Sequence, residues 1–178
     1  MDTLPDYLKT GLDLVFVGLN PGLQSVRAGH YFASPRNRFW RAANRAEVFD
    51  PPLSAEHDYR ALEQGIGFTD VVKRASAGSS DLRAADYKRW APVLEQKLER
   101  YAPRIVCFHG MVAYRNFLKH GPGVTTRTEL GRQCRAIGAS KVFVVPNPSP
   151  ANAAFSHSDL VDWYTRLNTL RQESADKR

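Results

Sequence analysis

Phe16-Val17-Gly18-Leu19-Asn20-Pro21-Gly22 is the stretch whose reading decides the fold. The apolar run Leu14-Val15-Phe16-Val17 stops at Gly18, and a turn of Gly, Asn, Pro and Gly follows. An apolar run closed by turn residues reads as a buried strand, here residues 13–18, entering a shaped loop. Asn20 carries a neutral amide that both donates and accepts hydrogen bonds. Pro21 stiffens the turn, and Gly22 lets another group approach the backbone.

Two further runs repeat this pattern. Ile105-Val106-Cys107-Phe108 ends at His109-Gly110, and Val142-Phe143-Val144-Val145 ends at Pro146-Asn147-Pro148-Ser149-Pro150. Gly65–Val72 reads as a strand or extended turn leading into a polar loop over residues 75–81. Between these runs the spacing predicts helices. One is capped by Asn37 and runs to about Glu47, and one lies around Glu56–Gln64. The stripe Tyr87, Trp90, Leu94, Leu98, Tyr101 marks another, which starts or kinks at Pro92. Met111–His120 and Ser158–Arg171 complete the set. Leu23–Arg36 reads as a loop, Gln133–Ile137 as a short strand, and Glu173–Arg178 as a frayed tail.

Strands that are apolar throughout and alternate with helices imply an α/β fold with a parallel sheet covered on both faces. Such sheets bind ligands at the carboxyl ends of their strands. The turns Gly18–Gly22, His109–Gly110 and Pro146–Pro150 therefore belong on one edge, joined by the loop after Asp70.

At 178 residues the chain suits one domain, 1–178 with a core of about 13–171. No apolar run is long enough to span a membrane, and Met1–Asp6 lacks the basic and apolar regions of a secretory signal. The expectation is a cytoplasmic protein, nucleoid-associated if bacterial. Two cysteines, Cys107 and Cys134, cannot make a four-cysteine zinc or iron–sulfur site, and Cys107 reads as a buried thiol. A net charge of +7 permits a polyanionic partner, but the arginines are scattered along the chain, as on a solvated surface.

The segments taken together are more specific than any one of them. Gly18–Leu23, Gly29-His30-Tyr31-Phe32, Pro35-Arg36-Asn37-Arg38-Phe39-Trp40, Gly65–Asp70 with Val71-Val72-Lys73-Arg74, and Asn147-Pro148-Ser149 closely resemble the mismatch-specific uracil/thymine-DNA glycosylase family over about residues 13–170. The resemblance implies a three-layer α/β/α sandwich with a central, mainly parallel sheet. It implies a monomeric, monofunctional base-excision-repair enzyme acting on double-stranded DNA with no metal or cofactor. The enzyme would extrude a mismatched or damaged pyrimidine (G·U above all), hydrolyse its N-glycosidic bond and leave an abasic site.

The resemblance also distributes roles. Asn20 matches the residue that holds the attacking water; on its own residues it also reads as a turn former bonding its own backbone. Gly18, Leu19, Gly22, Ser25, Phe32 and Asn147 match contacts to the base, with Phe32 as the stacking ring, although Tyr31 stands beside it. Gly22 has no side chain to exclude a 5-substituent, so thymine and adducts would fit. Asn37 reads as a helix cap or a base contact. Asp70 departs from the family pattern: it is a general base for the water, or else a cap or a partner for Lys73 or Arg74. Ser149, Pro150, Ala151, Asn152 and Lys73 match the DNA-binding segments, but residues 150–155 lack the large or basic wedge of the family. Two rivals stand beside this reading: a non-catalytic nucleic-acid-binding module of the same fold, and a hydrolase of small nucleosides or nucleotides.

Overall fold

The computed structural model describes residues 3–176. The expectations for Met1, Asp2, Lys177 and Arg178 lie outside the described residues. Five strands form one sheet: β1 (Leu14–Gly18), β2 (Ile66–Asp70), β3 (Ile105–His109), β4 (Gly131–Arg132) and β5 (Lys141–Val145), in the order β2-β1-β3-β5-β4. All pairings are parallel except that of the two-residue edge strand β4, which is antiparallel to β5.

The period-2 geometry of each strand sends alternate side chains to opposite faces. Leu14, Phe16, Ile66, Phe68, Ile105, Cys107, Phe143 and Val145 fill one face, under α2 (Phe39–Arg45) and α5 (His157–Ala175). Val15, Val17, Val106, Phe108, Val142 and Val144 fill the other, under α3 (Ala84–Tyr101) and α4 (Met111–His120). Both faces are covered, so the architecture is the expected three-layer α/β/α sandwich. Cys107 is fully buried, and burial pushes its thiol well above the usual range.

Differences from the sequence reading are local. Leu23–Ala28 is a short helix, α1, closed by Gly29 in the left-handed conformation, where a loop was expected. It buries no residue, so it carries no apolar stripe to betray it. Pro92 lies inside an α3 that already begins at Ala84. Residues 55–64 form a 3₁₀ segment with a break at His57. The short strand lies at Gly131–Arg132, ahead of the expected 133–137. Helix α5 continues through Ala175, past the point where fraying was expected. No helix among the described residues is long and apolar enough to cross a membrane.

Phe16 is the centre of the first core face. It is 1% exposed, stacks on Phe68 (ring centroids 5.8 Å) and His109 (5.1 Å), and meets Phe39 edge-on at 5.2 Å. Truncation there leaves a cavity that the rings on two strands and a helix cannot close. Phe16→Ala is expected to lower unfolding free energy by about 3–5 kcal/mol, read as a lower urea midpoint at an unchanged m-value.

Candidate active site at the carboxyl edge of the sheet

Parallel pairing aligns the ends of four strands in one row: Asp70 on β2, Gly18 on β1, His109 on β3, and Pro146-Asn147 after β5. Gly18 and Asp70 are register partners. A Cβ on Gly18 would stand 2.5 Å from Asp70 Oδ1, so the carboxylate lies across the space that only glycine leaves open. Asp70 is 5% exposed, and its Oδ2 has no hydrogen-bond partner. Lys73 Nζ stands 3.7 Å from that oxygen, beyond hydrogen-bond reach. Burial raises the Asp70 carboxyl, Lys73 opposes the rise and Asp6 adds to it; the result is a group pushed up to about 6.

The Lys73 ammonium is committed elsewhere. It lies 2.9 Å from Asp6 Oδ1 and donates to the Tyr31 hydroxyl at 3.4 Å. Asp6 also takes Lys97 (2.6 Å) and the Thr69 hydroxyl (2.7 Å). Burial alone would raise the Asp6 carboxyl, yet the two lysines and Thr69 hold it below its ordinary value. Lys73, expected among the DNA-binding residues, is buried beside Asp70 and Asp6. Arg74 pairs with Asp86 instead of Asp70, through two bonds of 2.8 Å.

The loops after β1 and β2 are zipped together. Val71 N–H donates to Gly18 O, Val72 N–H to Leu19 O and Ser76 N–H to Pro21 O. Asn20 Nδ2 donates to Arg74 O (2.9 Å) and Ser76 Oγ (2.8 Å). A carbonyl oxygen can only accept, so the Arg74 bond fixes which end of the amide faces the loop. Asn20 Oδ1 is left without a partner among the described residues. The side chain of Leu19 packs into the core of the α3/α4 face.

Gly22 has an ordinary extended backbone (φ −73°, ψ 151°), and a Cβ there would meet nothing within 4 Å. Its conformation does not require glycine, and the space above it is open. Ser25 Oγ accepts from Ala33 N–H and so braces the following loop.

Of the two adjacent aromatics, Tyr31 is the buried one. Its N–H donates to Asp58 Oδ2 (2.7 Å), its hydroxyl donates to Pro5 O (2.8 Å), and its carbonyl accepts from Trp40 Nε1 (3.0 Å). Phe32 remains half-buried, stacked on Phe39 at 4.2 Å and edge-on to His109 at 5.2 Å. Its φ of +53° is uncommon for an aromatic residue and is held by the bonds on Tyr31. Asp58, a fully buried carboxylate that also accepts from the Tyr7 hydroxyl and meets His30 Nδ1, thus positions Phe32 from behind. Asn37 Oδ1 accepts from Phe39 N–H at the start of α2, the capping alternative.

Sequence reading singled out the His109-Gly110 turn without giving the imidazole a role. His109 is 2% exposed; its Nε2 pairs with the Tyr164 hydroxyl at 2.9 Å, and its Nδ1 is unpartnered. Burial pushes it down to about 3, so it is a neutral ring at the floor of the edge. Asn147 packs against Gly110 and uses Oδ1 to accept from Ser149 N–H (2.9 Å), which leaves its Nδ2 as the end able to donate outward.

The segment Pro148–Phe155 is organised by a residue that sequence reading passed over among the scattered arginines. The Arg38 guanidinium donates to the carbonyls of Pro148, Ser149, Asn152 and Phe155. Its backbone N–H also donates to Pro148 O. Asn152 turns inward and donates from its side-chain amide to Asn147 O. Pro150 and Ala151 remain exposed at the tip, and Ser149 Oγ accepts from Ala151 N–H. A cavity of about 820 Å³ lined by Asp13, Phe49, Gln64 and Arg171 opens elsewhere, beside the amino end of β1, and holds none of these groups.

Charge-assisted bonds to four carbonyls make Arg38 the clamp of this loop. Arg38→Lys keeps the charge but loses the fork. It is expected to increase amide hydrogen exchange over residues 148–155 by at least tenfold while leaving the protection of β1 and β3 unchanged.

Comparisons with known proteins bear on the fold and the family. A solution structure of a candidate uracil DNA glycosylase from Methanosarcina acetivorans has a similar fold, with a TM-score of 0.63 and 22% sequence identity over 97% of each chain. The family description "Uracil DNA glycosylase superfamily" matches residues 5–169, nearly the whole chain. The protein is a member of the uracil DNA glycosylase superfamily.

Proposed function

We propose that the protein is a monofunctional DNA glycosylase of the mismatch-specific branch, removing uracil and 5-substituted pyrimidines from duplex DNA. The observation that carries the reading is Asp70: a carboxylate withdrawn from water at the strand edge, above a bare Gly18, with one oxygen unpartnered. A base inside a duplex is out of reach of such an edge, so the pyrimidine has to be extruded into it. Phe32 then offers a ring face for stacking, and the open space at Gly22 accommodates a 5-methyl group.

Asn20 Oδ1 and Asp70 divide the work on water. The amide accepts one hydrogen bond and aims the molecule, and the carboxylate takes its proton. The water oxygen bonds to C1′ of the deoxyribose as the C1′–N1 bond breaks, and the bond pair leaves with the base. Asn147 Nδ2 donates to the departing pyrimidine, whose negative charge it stabilises. A neutral amide does this less well than a charged donor, which fits an enzyme of modest turnover. The rival reading, a hydrolase of small nucleosides or nucleotides, is disfavoured by the clamped 148–155 loop, which a free nucleoside does not need.

A duplex oligonucleotide with a G·U pair, treated with protein and then alkali, should be cleaved at the uracil; no cleavage above control at uracil, thymine or an adduct refutes the reading. Asn20→Ala and Asp70→Asn should each lower the single-turnover rate by about 10²–10⁴-fold.

The pH dependence separates the two. With Asp70 acting as base, the wild-type rate climbs as pH rises through about 6, and Asp70→Asn abolishes that limb. Stability runs the other way. The folded-state value lies above the unfolded one of about 3.9, so the folded state holds the proton more tightly and loses stability as pH rises from about 4 to 6. Asp70→Asn should therefore melt higher than wild type at pH 8, with the difference closing below pH 4. Equal melting at pH 8 would remove the assigned burial cost.

A further inference from the structure

Arg38, Arg41 and Arg45 occupy positions i, i+3 and i+7 of one stretch, so they form a single stripe along α2. Arg38 is spent on the carbonyls of the 148–155 loop. Arg41 and Arg45 are exposed and have no carboxylate or hydrogen-bond partner among the described residues, whereas Arg60, Arg74, Arg104 and Arg171 each have an acidic partner. The two free guanidinium groups face a groove of about 620 Å³ whose other walls are Asn44, His157, Ser158 and Val161. No carboxylate lines it. Burial, then the charge of Arg41, then that of Arg38 lower His157 below its ordinary value. The groove thus lies between α2 and the start of α5, and its wall residue His157 stands two positions beyond Phe155, whose carbonyl Arg38 holds.

We propose that this groove binds the DNA phosphodiester backbone flanking the extruded nucleotide, with Arg41 and Arg45 each meeting one phosphate and the Ser158 hydroxyl available as a donor. The proposal rests on the glycosylase reading above for the presence of DNA. Charge complementarity selects the occupant: two cations without acidic partners among the described residues, a net charge of +7, and a position next to Arg38, which holds the loop at the strand edge. Such contacts carry no base information, so they would supply grip to an enzyme whose 150–155 segment lacks a large wedge.

The experiment is fluorescence anisotropy on a labelled duplex carrying an abasic-site analogue opposite guanine, between 50 and 300 mM salt (working concentrations of about this range resolve the slope). The Arg41→Ala/Arg45→Ala double variant should lose at least tenfold in affinity, and the log Kd against log salt slope should fall by about 2. Arg41→Lys/Arg45→Lys should restore most of the slope. Arg100→Ala, an exposed cation on α3 of the opposite layer, is the control for net charge and should change the slope by less than about 0.5. An unchanged slope in the double variant, or an equal loss in Arg100→Ala, overturns the groove while leaving the glycosylase reading standing. Wild-type protein that releases no base and binds no duplex overturns both.

Discussion

A carboxylate held out of water against a glycine is the constraint on which the site depends. Asp70 and Gly18 are opposite one another in the β1–β2 ladder, and the space a side chain at residue 18 would need is taken by the Asp70 oxygen. Everything nearby serves to hold that charge in place. Lys73 sits behind it but gives its closer contact to Asp6, so Asp70 is attracted without being neutralised by a hydrogen bond. A tighter pairing would pull the carboxyl down and make it a weaker base. The longer distance leaves it poised near 6, where it is ionised at neutral pH and still able to accept a proton.

The same economy governs the amides. Asn20 and Asn147 each use one end of the side chain to fix the backbone around them, and keep the other end for something outside. The first holds the loop after β2 with its NH₂ and so presents oxygen; the second holds Ser149 with its oxygen and so presents NH₂. An amide can be given either polarity in this way, because its two ends are chemically opposite. The rings are arranged by burial. Tyr31 and His109 lie in the core, while Phe32, held at positive φ, stands half out of it.

The 148–155 loop contributes stiffness instead of bulk. Arg38 converts a run of small residues into a fixed arch by bonding its carbonyls, and Asn152 ties the arch to Asn147. Because Arg38 begins α2, the arch is anchored to the layer that also contacts α5, and the stripe of arginines continues from it. Arg38 thus ties the loop to α2.

The sequence by itself determined the layers. Leu14–Val17, Ile105–Phe108 and Val142–Val145 are apolar on both faces, and such strands are stable only inside a sheet covered twice; their abrupt ends placed the unusual turns on one edge. Local chemistry also marked Cys107 as a core thiol, since that depends on neighbours in the chain, and offered the cap as one of two roles for Asn37. Tertiary structure alone decided which groups lie beside one another. The burial of Lys73 depends on Asp6, 67 positions earlier, and the role of Arg38 on carbonyls more than 100 positions later. The choice between Tyr31 and Phe32 was made by Asp58 and Pro5, which no periodicity near residue 31 could reveal. Desolvation and long-range ion pairing are properties of the packed volume around a group, and a linear pattern records only what stands next to it along the chain.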